Sequence, residues 1–294
     1  MTPRARRRGS PDAPGRLGGE QVEGLQAVRE LLVAGRRPVH EVLVAAGRDG
    51  AGPVRELLAL AGAAGVPVRR VGAPELARRA RSEAHQGVVA LAAPLVPAPL
   101  ADLAAPGERG DPPFLVVLDS VTDPGNLGAV LRSALCAGAT GAVLARRRGA
   151  HVTPSAAKAA AGAVEHLPIA LVAGIPAALR ALRAAGVWVV GLDASGDRSL
   201  WDVEVLAEPL AVVLGAEGRG LAPLTRARCD LLVRIPLAGP IPSLNVAAAA
   251  AIACFEAARR RGGARGDGPH AEAAGRRADP PRSLPRPSRG VRSV

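Results

Sequence analysis

Aromatic side chains are nearly absent: the chain carries two Phe, two Trp and no Tyr among 294 residues. Modules that read splayed bases by stacking them on aromatic platforms need several such rings, so RRM-like and OB-like nucleic-acid binding is excluded. Cysteine is scarce as well. Cys136, Cys229 and Cys254 form no C-x-x-C pair, and an odd count makes a poor disulfide framework, which points to a reducing cytoplasm. His40, His85, His151, His166 and His270 are scattered without metal-ligand spacing, and neither H-E-x-x-H nor G-x-S-x-G occurs, so no metal or hydrolase site is expected. A P-loop is missing, which argues against a nucleoside triphosphatase. The Arg-rich N-terminus lacks a following apolar segment, so no signal peptide is expected. The uncharged stretch from Ile235 to Phe255 is broken by Pro and Gly in its first half and is mostly Ala in its second, too weakly apolar for a membrane span.

What is abundant is small apolar residues and arginine. Hydrophobic residues make up 48% of the chain, so Ala, Val and Leu supply the packing. The formal charge is +12, a value that suggests a polyanionic partner. Its location narrows that reading. Residues 1–17 hold five Arg against one Asp, for +4, and residues 259–294 hold ten Arg against three acids, for +7. The body between them carries only +1. Both ends are rich in Pro, Gly, Ser and Arg, a composition that predicts disordered tails over 1–19 and 262–294, acting either as solvated charge or as a grip on RNA.

Residues 20–93 alternate helical and extended patterns: a helix over 20–35, then strand 40–45, helix 54–65, strand 66–71, helix 74–81 and strand 87–93. This predicts a small α/β domain. The segment 94–113 holds six prolines and reads as a linker. From Phe114 the alternation restarts, with apolar strands near 114–120, 141–145, 167–172, 187–192, 211–215 and 231–236 and a closing helix over 243–261. Such βα repeats predict an α/β fold with a mostly parallel sheet covered by helices on both faces. Ligands of such sheets sit beyond the carboxyl ends of the strands, which singles out three loops.

The first loop, Asp123-Pro124-Gly125-Asn126, is a turn leading into a helix. Asn126 either caps that helix or serves a site. Arg132, just under two turns on, projects from nearly the same side and either snorkels, pairs with an acid or serves the same site. The second loop, 212–221, is glycine-rich, but its G-x-x-G-x-G order is not the dinucleotide fingerprint. It displays Glu217 among glycines that permit close backbone approach. The third loop, 235–245, is rigid, uncharged and Pro-rich, and leads to Ser243, a candidate N-cap, and Asn245. The small residues 246–251 allow either a tight core or a helix-mediated dimer.

Taken together, N-L-G-x-x-x-R-S-A at 126–134, L-G-x-E-G-x-G-L at 214–221 and I-P-L-x-G-x-x-x-S-L-N-V at 235–246 resemble the three motifs of the SpoU (TrmH-like) family of RNA 2′-O-ribose methyltransferases, within the SPOUT superfamily. EGLQAVRELL and AHQGVVAL (84–91) resemble that family's N-terminal substrate-binding domain, which is similar to certain ribosomal RNA-binding proteins. The resemblance implies an RNA substrate-binding domain over 20–93 and a catalytic domain over 114–261 with a trefoil knot, an exception to ordinary topology. It implies S-adenosylmethionine as cofactor, held mainly by main-chain groups at Leu214, Gly215, Ala216, Gly218, Ile235, Leu237 and Leu244. It also implies a homodimer through the knotted domain, and Asn126, Arg132, Glu217, Ser243 and Asn245 as the polar catalytic set.

The resemblance leaves roles open. A guanidinium stays protonated in ordinary surroundings, so Arg132 either acts as a strongly perturbed base or holds a phosphate and the developing alkoxide. The two-domain layout is most similar to the branch methylating guanosine in 23S rRNA. A tRNA substrate, an antibiotic-resistance rRNA methylation and a noncatalytic RNA-binding assembly factor are the alternatives.

Overall fold

The computed structural model describes residues 17–48, 52–82, 85–108, 110–147, 149 and 151–262. Of the tails expected over 1–19 and 262–294, residues 1–16 and 263–294 lie outside the described residues. Residues 17–19 do not behave as tail: Leu17 is 2% exposed within the main core, and Gly18 pairs with Val152 in an isolated parallel bridge.

The first unit contains β1 (Gln21–Glu23), α1 (Leu25–Ala34), β2 (Val39–Ala45), α2 (Gly52–Ala63), β3 (Val68–Val71), α3 (Ala73–Arg79) and β4 (Val88–Ala92). Its four strands are ordered β1-β4-β2-β3 in a mixed sheet. The single helix expected over 20–35 is instead a strand and a helix. Gly24, at φ +96°, breaks the run between them. Val22 pairs with Ala90 of β4. Glu23 is fully buried, and its carboxylate accepts bonds from Arg81 N at 2.6 Å and Ser82 N at 3.0 Å, partners that a helix would not offer. On α1, Ala27, Val28, Leu31 and Leu32 face this unit's core, spaced to form one helical stripe.

The Pro-rich stretch 94–113 is not only a connection. It contains α4 (Leu100–Ala104), whose Leu103 is 6% exposed against the second unit. That unit comprises β5 (Phe114–Leu118), α5 (Pro124–Cys136), β6 (Gly141–Ala145), α6 (Pro154–Ala159), β7 (Ile169–Val172), α7 (Ile175–Ala184), β8 (Trp188–Leu192), β9 (Arg198–Ser199), β10 (Leu210–Leu214), α8 (Pro223–Arg226), β11 (Leu231–Arg234) and α9 (Val246–Arg260). The sheet has seven strands, ordered β7-β6-β5-β10-β8-β11-β9, and all its pairs are parallel. Later strands take interior positions: β10 enters between β5 and β8, and β11 between β8 and β9.

Strand alternation divides the core. Phe114, Val116 and Leu118 pack on the face covered by α5, α6 and α9, whereas Leu115 and Val117 pack on the face covered by α7. Helices therefore cover both faces, as the buried apolar strands require. Gly128, in the first motif, lets α5 meet α6: a Cβ there would lie 2.4 Å from Ala156 O. On α9, Ala250, Ala253 and Ala257 are fully buried, and these small side chains bring it close to the core. Among the described residues no helix is long and apolar enough to cross a membrane.

Candidate active site

The loops after β8, β10 and β11 enclose a cleft of about 520 Å³, within the range of small-molecule sites. It lies at the carboxyl end of the sheet. Leu214, Gly215, Ala216 and Gly218 line it from β10 and its loop, and Ile235, Leu237 and Leu244 from the loop after β11. All seven residues expected to contact the cofactor thus share one wall system, together with Glu217 and Ser243.

The glycine-rich loop is tightly folded because Ala216 N donates to Gly220 O at 3.0 Å and Gly220 N to Ala216 O at 2.9 Å. Gly215 admits no side chain, since a Cβ would sit 2.1 Å from Gly220 C. Gly218, at φ +73°, turns the chain in the left-handed region that a side chain disfavours. Asp119, at the end of β5 and 6% exposed, accepts from Ala222 N at 2.9 Å and so anchors the far end of this loop.

Asn245 joins the three motifs. Its Oδ1 accepts from Ala247 N at 2.8 Å and Ala248 N at 3.3 Å, capping α9. Its Nδ2 donates to Asn126 Oδ1 at 3.0 Å and to Glu217 Oε1 at 2.6 Å. The cap of α9 is therefore Asn245, not Ser243. Asn126 does not cap α5 either. That role belongs to Asp123, whose carboxylate accepts from Asn126 N at 2.7 Å, which leaves the Asn126 side chain to reach Asn245. Ser243 is exposed at the cleft. Arg132 is exposed on α5 and has no hydrogen-bond or ion-pair partner among the described residues, so it stands outside the Asn126–Asn245–Glu217 network.

The sequence reading missed one wall. Asp193 and Ser195, after β8, and Arg226, on α8, also line the cleft. Arg226 Nη1 donates to Asp193 Oδ2 at 3.0 Å and to Ser195 Oγ at 2.8 Å, and Ser195 Oγ donates to Asp193 Oδ1 at 2.5 Å. Burial raises the Asp193 pKa, but the hydrogen bonds from Ser195 and the charge and hydrogen bond of Arg226 outweigh it and hold the carboxyl below its ordinary value. The sequence signal was faint: an Asp two residues before a Ser, in a segment without periodicity.

Cysteine chemistry is not available here. Burial, aided by Asp230, Asp119 and Asp193, pushes the Cys229 thiol up to about 12, and burial alone takes Cys254 to about 12. Among the described residues, no group of three or more His, Cys, Asp or Glu side chains is placed to hold a metal ion. The cleft instead offers main-chain groups on glycine- and proline-rich loops, apolar Leu and Ile surfaces, and a polar cluster at one side. That donor set fits a compact, mixed-polarity nucleoside such as S-adenosylmethionine.

Known proteins resemble this chain over most of its length. The SpoU rRNA methylase family model matches residues 113–255, and the RNA 2′-O ribose methyltransferase substrate-binding model matches 21–98. The 23S rRNA (guanosine-2′-O-)-methyltransferase RlmB of Yersinia pestis is 39% identical over 243 residues, covering 83% of this chain and 98% of that protein. RlmB of Photobacterium profundum is 37% identical over 245 residues, covering 83% and 99%. Among solved structures, the SpoU methyltransferase AviRb from Streptomyces viridochromogenes, in complex with the cofactor AdoMet, superposes with a TM-score of 0.66 at 33% identity, covering 83% of this chain and 91% of that one. With its three motifs joined at Asn245 beside a main-chain-lined cleft, and relatives matched over nearly their whole length, this chain belongs to the SpoU rRNA methylase family.

Proposed function

We propose that this protein is an S-adenosylmethionine-dependent methyltransferase acting on the ribose 2′-hydroxyl of ribosomal RNA, with guanosine in 23S rRNA as the target. The observation that carries the reading is the Asn126–Asn245–Glu217 network at the edge of the cleft, and the named activity of the RlmB relatives supports the substrate. S-adenosylmethionine supplies a methyl group on a positively charged sulfur, which needs no acid to activate it.

Leu214, Gly215, Ala216, Gly218, Ile235, Leu237 and Leu244 hold the cofactor, chiefly through main-chain groups. Asn126, Asn245 and Ser243 orient the ribose. Glu217, tied to Asn245, receives the hydroxyl proton directly or through water, and Arg132, farther along α5, holds a phosphate of the substrate. Holding the reactants in near-attack geometry is worth roughly 7–11 kcal/mol of barrier in favourable cases.

In this reading residues 20–93 grip the RNA, 114–261 perform the chemistry, and β10, β11 and α9 form a trefoil knot. The knotted domain pairs with a second copy through the outer face of α9, where Phe255 is 52% exposed. The protein works in the cytoplasm.

Incubation with methyl-labelled S-adenosylmethionine and unmodified 23S rRNA is expected to label the RNA, with the modified nucleotide resisting alkaline cleavage. RNA binding without transfer to any RNA, with no cofactor binding by calorimetry, would sink the enzyme reading in favour of an assembly factor.

A further inference from the structure

We infer that the RNA backbone lies over the carboxyl ends of β5 and β6, with Arg146 and Arg147 holding its phosphates. This rests on the methyltransferase reading above and specifies how the substrate enters. The cofactor cleft occupies the carboxyl ends of β8, β10 and β11, and no described residue of β5, β6 or their following loops lines it. Asn126, at the start of the helix after β5, meets Asn245 and Glu217, so the polar cluster marks the seam between the two halves of the sheet edge. A ribose that reaches this seam while the cleft is filled comes from the other half.

That half carries an uncompensated charge. β6 lies beside β5 in register, Leu118 opposite Leu144, and the chain emerging from it presents Arg146 and Arg147. Both are exposed, and neither side chain has a hydrogen-bond or ion-pair partner among the described residues. Elsewhere arginines are commonly engaged, as Arg29, Arg37, Arg69 and Arg226 are by carboxylates. Neither guanidinium forms an ion pair with a carboxylate among the described residues. Asp119 is buried and bound to Ala222 N and the Ser120 hydroxyl, and Asp123 is bound to Asn126 N. Two adjacent guanidinium groups without a carboxylate suit a polyanion's backbone, which they contact without reading sequence.

The test uses the full chain, an unmodified 23S rRNA transcript, and the variants Arg146→Ala, Arg147→Ala and their double, against Arg180→Ala as a surface control of equal charge. Arg180 is exposed on α7, away from the edge in question. Each arginine lost at the β6 edge is expected to make the log–log salt dependence of RNA binding shallower by about 0.7 to 1, and to raise the KM for RNA. Cofactor affinity by calorimetry and kcat at saturating RNA stay unchanged, and Arg146→Lys with Arg147→Lys restores the slope. Variants that match Arg180→Ala in slope and KM overturn the proposal. A wild-type chain that binds RNA but transfers no methyl overturns the methyltransferase reading instead, and the binding slopes still decide the RNA contact.

Discussion

Asn245 does two jobs with one amide: its oxygen caps α9 and its nitrogen ties Asn126 to Glu217. The two functions separate by substitution. Asn245→Asp keeps a capping oxygen but replaces the donor with a second carboxylate facing Glu217. It is expected to change stability by under about 1 kcal/mol while lowering methyl transfer by about 100-fold or more, read by thermal unfolding and labelled-methyl assay. Asn245→Ala loses both, costing about 1 kcal/mol of stability as well. A variant that melts early yet transfers normally would reduce Asn245 to a cap. Thiol reactivity is a second residue-scale test. Cys136 is exposed, whereas Cys229 and Cys254 are held near 12 by burial. At pH 8 iodoacetamide is expected to modify Cys136 alone, as mass spectrometry of peptides would report.

At the scale of elements, the loop after β8 owes its shape to α8. Arg226 bonds both Asp193 and Ser195, and the three form one wall of the cleft. Arg226→Ala is expected to weaken S-adenosylmethionine binding about tenfold, the effect of losing one charged hydrogen bond of roughly 1.5 kcal/mol, measured by calorimetry. The Asp193 carboxyl titrates below its ordinary 3.8, so its contribution is present above that pH and fades as pH falls through the lower folded value. Cofactor binding at neutral pH should therefore be insensitive to this group's titration. Asp193→Asn should lose affinity throughout the neutral range and show a smaller loss of folding stability on acidification, followed by unfolding at graded pH.

At the scale of the whole molecule, one buried ion pair sets the relation between the two units. Arg37 and Glu165 lie 2.6 Å apart with side chains 6% and 1% exposed. Arg37 also donates to Gly19 O at 2.8 Å and to Ala93 O, so it gathers both strands of chain that cross between the units. Neighbouring Arg36 donates to His166 O at 3.0 Å, and His166 Nε2 lies 2.8 Å from Glu30 Oε2. Glu165→Gln leaves the guanidinium buried without its counter-charge and is expected to cost about 3–5 kcal/mol in denaturant unfolding. Joint replacement by Arg37→Met and Glu165→Leu should recover part of that loss. A cost under about 1 kcal/mol for Glu165→Gln would mean that the pair is solvated in solution.

The sequence by itself determined the α/β class, the βα alternation from Phe114 onward and the three loops, because apolar period and turn chemistry are local properties, while the motif resemblance singled out two of the walls that line the cleft. Motif order even brought out Asn126, Glu217 and Asn245, although spacing suggested Ser243 and Asn126 as caps. Tertiary structure alone decided the rest. Periodicity records which face of a strand is buried, not which strand lies beside it, so the entry of β10 between β5 and β8 has no local signature. The same limit hid β1, whose Gln21-Val22-Glu23 reads as the start of the following helix until β4 supplies its hydrogen bonds. It also hid Leu17 in the core and the Asp193–Ser195–Arg226 wall. In each case the partner that gives the residue its role lies far along the chain, and only packing of the whole molecule brings the two together.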